Sequence, residues 1–424
     1  MKKLKKIIAG ILIFTLFLTL YGCREKTPDE TIDKPVKKPI DSEIVNLSEN
    51  IEFEKVKAED IDDKFIKTQQ DFALELLSAY YTLDKGNVNI SPYSLSYCLG
   101  IVANGAQSET SKEIESVLMG GMNKSDWTKN IRFLLNENSN FFSQANSVWL
   151  NNEFEKVEES FLIESKNYFG ANVYEVDFYN HGIEHINNWV KENTKGTIEK
   201  VPDIPPNTKL YVADTIYLDM NWRSTHSLHK VKTQEFLSAD GSVKNTKMMY
   251  SVCSNDNGNY IKGENEEGFI KPLSVDFSFI ALMPDENIKI DTYISSLNGE
   301  KLRKLLSEVK KINVNSGMPF FEIQSDIIFN DTLNKMGIKK AYDEEVADFS
   351  KISKSDKLFL GLTQQKTVIN VDLGGVRASA ASGQELIYRS LKQPETTVVL
   401  NRPFVYIITD KHSIPVFIGV VAKL

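Results

Sequence analysis

His181 and His185 stand four residues apart with Glu184 between them, a spacing that on a helix would turn both imidazoles toward one metal ion. Spacing places no third ligand beside them, and the chain has only five histidines, so no metal is expected. Acyl and phosphoryl transfer are no better supported. No serine lies in a Gly-x-Ser-x-Gly elbow, and neither His-Glu-x-x-His nor Gly-x-x-x-x-Gly-Lys-Ser/Thr occurs. Cys98 falls in the apolar, helix-like run Leu95–Val102, where a thiol is read as a small buried hydrophobe rather than a nucleophile. No catalytic residue is assigned, no cofactor is expected, and the chain reads as a non-enzyme.

Composition narrows the remaining classes. An apolar fraction of 41% with 10% aromatic residues suffices for a large core, and 424 residues leave one or two domains open. A net charge of -8 with no concentrated basic face argues against nucleic acid as a partner. The three cysteines, Cys23, Cys98 and Cys253, are too few and odd in number for a disulfide framework, so the core must supply the stability.

The N-terminus carries an export signal. Four lysines lie within Met1–Lys6, and Ile7–Leu20 is an apolar run too short for an ordinary transmembrane span. It closes with Leu20-Tyr21-Gly22-Cys23, which resembles a bacterial lipoprotein cleavage box, so residues 1–23 are read as a signal with Cys23 as lipid anchor. Tyr21 is bulkier than the small residue usual there, and plain secretion is the alternative. Residues 24–60, rich in Lys, Glu, Asp and Pro, hold too few large apolar residues to fold and are read as a flexible tether. The expected location is the outer face of a bacterial cell membrane.

From residue 61 to 424 no repeat and no second linker appears, and one domain is expected. Helical periodicity over Phe65–Tyr81 puts Phe72, Leu76, Leu77 and Tyr80 on one face. Further helices are read at His185–Asn193, Glu300–Val309 and Asp331–Met336, the last closed by Gly337. Strands are read at Ser147–Leu150, Leu210–Leu218, Phe277–Met283, Thr397–Val405 and Val416–Val421. Strands and helices without regular alternation make the fold class α+β.

Several segments together are similar to the serpin family. Asn89-Ile90-Ser91-Pro92-Tyr93-Ser94-Leu95, then Gly105-Ala106 and Ser108-Glu109-Thr110, resemble its second helix and the following turn. Ala213-Asp214-Thr215-Ile216-Tyr217-Leu218 with Trp222 resembles the strand that ends at a buried tryptophan. Met336-Gly337-Ile338, Ala341-Tyr342 and Ala347-Asp348-Phe349-Ser350 follow, and Asn401-Arg402-Pro403-Phe404 with Phe417-Ile418-Gly419 resembles the last strands. These landmarks keep the family's order over about residues 65–424. The resemblance implies three β-sheets wrapped by eight or nine helices, with a reactive loop exposed at about 374–397. Asp214 stands where the family commonly has asparagine, and Gln365 near its usual histidine; both are expected in a polar cluster under the main sheet.

By the same resemblance Gly374, Gly375, Val376, Arg377, Ala378, Ser379, Ala380, Ala381 and Ser382 form a hinge. A loop entering a sheet must pass alternate side chains into a packed interior, which bulk or charge on that face would block. Period two sends Val376, Ala378, Ala380, Ser382, Gln384 and Leu386 inward and leaves Arg377, Ser379, Ala381, Gly383 and Glu385 facing solvent. Leu373 replaces an acid and Val376 a Thr or Ser common in the family. A flexible Gly/Ala/Ser loop without mechanism is the alternative.

Counting fourteen residues from Gly375, as the family does, sets the cleaved bond at Arg389-Ser390, with Tyr388 or Leu386 as alternatives if the register differs. A trypsin-like pocket buries an acid that Arg pairs with and an apolar side chain would strand. The implied function is suicide inhibition of Arg-specific serine, or cysteine, proteases by a monomer. A non-inhibitory binding or substrate protein of the same fold, and a solute-capturing lipoprotein, are the competing readings.

Overall fold

The computed structural model describes residues 44–53, 60–138, 143–153, 156–201, 203–223, 230–253, 259–355, 357–377 and 394–424. Residues 42–424 form one compact unit. The proposed signal with Cys23, and most of the tether, lie outside the described residues.

Nine α-helices occur among the described residues: α1 (Asp63–Tyr81), α2 (Pro92–Gly105), α3 (Ser108–Met119), α4 (Lys124–Asn138), α5 (Glu159–Phe169), α6 (Gly182–Asn193), α7 (Ile290–Ser296), α8 (Gly299–Ser307) and α9 (Asn330–Met336). Local chemistry sets their ends. The Asp62 carboxylate accepts the Lys64 N–H at 2.7 Å and so caps α1, whose Phe65, Phe72, Leu76 and Leu77 are buried. Ser91 caps α2 and Pro92 opens it with a ring already at helical φ. That helix is buried almost all round. Gly337, at φ +121°, closes α9, a backbone angle that side chains oppose.

Two β-sheets are continuous. One is six-stranded and antiparallel, ordered β2 (Val88–Ile90), β18 (Pro415–Val421), β17 (Phe404–Thr409), β11 (Ser278–Pro284), β10 (Glu266–Pro272), β9 (Tyr260–Lys262). Its strands β17 and β18 are buried at every position, which is why they read as unbroken apolar runs. The other orders as β16 (Thr396–Val399), β12 (Val314–Pro319), β8 (Val243–Cys253), β7 (Val231–Leu237), with β16 parallel to β12. The strand read over Thr397–Val405 is thus two strands in different sheets, because Asn401-Arg402-Pro403 turns the chain between β16 and β17.

The third sheet is divided. One half orders as β1 (Val45–Asn46), β4 (Asn172–Val176), β3 (Ser143–Asn151), β5 (Leu210–Tyr217). The other orders as β13 (Phe321–Ile328), β14 (Gln364–Val371), β15 (Gly375–Arg377), β6 (Asp219–Asn221). The halves belong together because β5 runs through Leu218 into β6. The architecture is α+β, as expected, with the main sheet counted in two parts. Helix α6 covers its outer face, where Trp149, Ala213, Ile186 and Val190 make a small second core.

The tether ends earlier than expected. Val45 and Asn46 pair with β4, the Ser48 hydroxyl accepts the Val173 N–H at 3.1 Å and Leu47 packs on the core, so the edge of the main sheet takes up residues assigned to the spacer. A few hydrogen bonds and one leucine suffice there, a signal too small for composition to reveal.

Candidate functional site

The site is built where β14 turns into β15. The Asp372 carboxylate accepts the N–H groups of Gly374 at 2.7 Å and Gly375 at 3.1 Å, while the Asp372 N–H donates to the Gly375 carbonyl at 3.1 Å. Trp222 buttresses this turn. Its ring N–H donates to the Asp372 carbonyl at 2.8 Å and its backbone N–H to the Gly374 carbonyl at 2.9 Å.

Gly375 is needed for approach. A Cβ on Gly375 would lie 1.9 Å from the Met220 carbonyl oxygen, so only glycine lets β15 and β6 pair here. On Gly374 a Cβ would lie 2.5 Å from Arg377 Nη2.

Val376 is fully buried, opposite Val371 of β14 and Met220 of β6. Its inward direction agrees with the alternation read from the sequence. Arg377 requires a correction. It was expected to face solvent, yet only 6% of it is exposed. Its Nε lies 3.2 Å from Asp219, its Nη1 3.4 Å from Asp372 and its Nη2 3.0 Å from the Asn221 side-chain oxygen. The residue does point away from Val376, but acceptors from both flanking strands fold over it. Alternation gives the face of a strand, not what covers that face. Ala378, Ser379, Ala380, Ala381, Ser382, Arg389 and Ser390 lie outside the described residues.

Below β15 a slot continues. Residues 364–369 of β14 have no strand partner among the described residues on the side away from β13, and β5 has none on the side away from β3. One strand separates their extensions at the top, so the edges stand about 10 Å apart there.

The N-terminus of α2 bridges the slot from beneath. The Gln365 side chain accepts the Ser91 N–H at 2.8 Å and donates to the Ser91 carbonyl at 2.9 Å. Thr367 donates to the Asn89 carbonyl at 2.8 Å. On the other edge Asp214 accepts from the Ser94 hydroxyl, and from the Gln144 amide at 3.1 Å. Burial outweighs these two donors and pushes the Asp214 carboxyl up to about 7. Asp214 and Gln365 therefore do meet at one polar cluster, each filling the hydrogen-bonding role expected of it.

The other sequence candidates are not part of this site. His181 precedes α6 and pairs with Glu184 at 3.3 Å; His185 lies within the helix. Among the described residues no three His, Cys, Asp or Glu side chains group as metal ligands. Cys98 is half-buried, and burial raises its thiol well above the ordinary range, so it is held as an unreactive thiol. Sequence reading missed Asp219, Asn221 and Asp372. No motif marks them, since only the folding of β6 beside β15 makes them neighbours of Arg377.

Comparison with known proteins fits this geometry. The family model described as "Serpin (serine protease inhibitor)" matches residues 67–424. Mouse neuroserpin is 29% identical over 352 residues, covering 78% of this chain and 85% of its own. A serpin-like protein of Thermococcus kodakarensis is 26% identical over 348 residues, covering 78% of this chain and 79% of its own. Among solved structures, the thermophilic serpin tengpin in its native state superposes with a TM-score of 0.83 at 31% identity, over 90% of this chain and 100% of that one. Its latent state gives 0.74 at 30% identity, over 87% and 100%. The reading of the chain as a non-enzyme is corrected in its ground. Missing catalytic motifs decide nothing; the family description does, since it names inhibitors, which act on enzymes.

Proposed function

The chain belongs to the serpin family, and from that premise we propose that it is a suicide inhibitor of trypsin-like, Arg-specific proteases, cleaved after Arg389. The observation that carries this reading is β15. The first loop residues already lie as a strand between the two halves of the main sheet, above a slot whose two edges are unpaired among the described residues. Continued past Arg377, the same register brings Ala378 between Leu218 and Ile369, Ala380 between Ile216 and Thr367, and Ser382 between Asp214 and Gln365. The inward residues of the loop are thus small where the slot is walled. A dozen inserted residues at ~1 kcal/mol per net backbone bond give on the order of 10 kcal/mol, as much as the whole stability of an ordinary domain. That is enough to drag and distort an acylated protease.

The test is incubation with trypsin and denaturing electrophoresis. A covalent complex resistant to denaturant is expected, and Arg389→Ala should lower the inhibition rate by orders of magnitude, with Lys intermediate because an ammonium only partly replaces the guanidinium in the pocket. Cleavage without complex would favour a non-inhibitory relative of the same fold. Equal inhibition by Arg389→Ala would place the bait at Tyr388 or Leu386.

The signal and Cys23 support anchoring by lipid to the outer face of a bacterial membrane. Cys23→Ser should then move the protein from the membrane to the soluble fraction of labelled cells; unchanged membrane retention would defeat the assignment.

A further inference from the structure

Arg377 is unusual among the buried residues of the main sheet in carrying a full charge beside two acids drawn from opposite sides of one strand. Asp219 belongs to β6, on one flank of β15, and is its direct cross-strand partner. Asp372 closes β14, on the other flank. Asn221, again on β6, takes the third guanidinium direction. A planar fork with donors on three nitrogens suits three acceptors at fixed angles, which a lysine ammonium would not match. The guanidinium lies over Gly374, where a Cβ would stand 2.5 Å from Nη2. Asp372 is itself held by the Gly374 and Gly375 N–H groups, so one acceptor is preset before the arginine arrives.

We propose that Arg377 is a positioning residue: an ion-pair clamp that keeps residues 375–377 seated in the sheet and makes them the nucleus from which the rest of the loop inserts. This rests on the inhibitory reading above. Pairing across Arg377 is with Asp219 and Asn370, and lengthening β15 downward leaves those neighbours in place. The clamp is therefore made both before and after insertion and is broken only when the hinge leaves the sheet. Its effect is to oppose expulsion, not insertion. Because the first turn and the first ladder bonds are already formed, insertion starts without the closure entropy of bringing the loop to the slot. Faster insertion favours trapping over release of active protease. A clamp on the hinge also leaves the bait, twelve residues farther along, untouched.

The full chain is compared with Arg377→Ala, Asp219→Ala and the charge-exchanged pair Arg377→Asp with Asp219→Arg. Hydrogen exchange of the 375–377 amides reads hinge seating with no protease present. Titration against trypsin reads how many molecules are consumed per protease inhibited. Arg377→Ala and Asp219→Ala should each raise hinge exchange at least tenfold and inhibitor consumption two- to fivefold, while the rate of loop cleavage stays the same. The exchanged pair should recover part of both losses, which a merely space-filling role for Arg377 would not give. Unchanged exchange in Arg377→Ala, or a higher yield of complex, overturns the clamp. If the parent forms no complex with trypsin at all, the inhibitory reading fails, and hinge exchange still decides whether the clamp exists.

Discussion

Asp214 sits on the β5 edge of the slot, where the Ser94 hydroxyl and the Gln144 amide donate to it and burial holds its carboxyl up at about 7. Its unfolded value is that of an ordinary aspartate, so between about pH 4 and pH 7 the native state binds this proton more tightly than the unfolded chain. Stability from this group is therefore full below about pH 4 and is lost as pH rises toward 7, the reverse of the usual carboxylate. Each tenfold difference in proton affinity between the two states corresponds to about 1.4 kcal/mol, and partial access to solvent lowers the total to a few kcal/mol at most. Asp214→Asn keeps the acceptor for Ser94 and never ionises. It should be more stable than the parent at pH 8, with the gap narrowing by pH 5. Urea midpoints at the two pH values check this, and parallel curves for parent and variant would show that the charge costs nothing.

β15 links a strand register to a mechanism. With Val376 opposite Met220 and Val371, period two sends Ala380 to the inner face and Ala381 to the outer one. On insertion Ala380 would meet Ile216 and Thr367, both on walls that already touch the core or the Asn89 carbonyl. A carboxylate there enters without a partner, at an effective cost of several kcal/mol with overpacking added. Ala380→Glu should leave cleavage after Arg389 intact while most of the inhibitor is consumed as substrate. Ala381→Glu, on the opposite face, should change the yield of complex far less. Gels of the complex with each variant decide the matter; equal yields from both and from the parent would rule out insertion in this register.

Among the described residues the main sheet stands open between β5 and β14. Two long edges, on β5 and β14, lack strand partners among the described residues, and exposed edges of this kind are a cost that a fold normally avoids. Filling the slot should therefore stabilise everything around it. After a single cut in the loop, the midpoint of thermal unfolding should rise by on the order of 10 °C, the result of dividing about 10 kcal/mol by an unfolding entropy of roughly 0.8 kcal/mol/K for a domain this size. Calorimetry of intact and cleaved protein measures it, and an unchanged midpoint would mean that the cut loop stays outside.

Much of this was legible in the chain itself. Ordered landmarks from Asn89 to Phe417 named the fold, and alternation placed Val376 inward, because side-chain direction along a strand is a local property. The helix over Phe65–Tyr81 followed from its apolar period for the same reason. Other features had no local signal. Val45 and Asn46 joined the sheet through a few bonds to β4, and Asn401-Arg402-Pro403 split one apparent strand between two sheets. Alternation puts Arg377 on the correct face but says nothing of its burial. Its partner Asp219 is 158 residues away, and what covers a strand's face is settled only when distant strands meet. The slot is tertiary for the same reason: sequence specifies each edge strand, but only the assembled fold shows β5 and β14 unpaired with one another among the described residues.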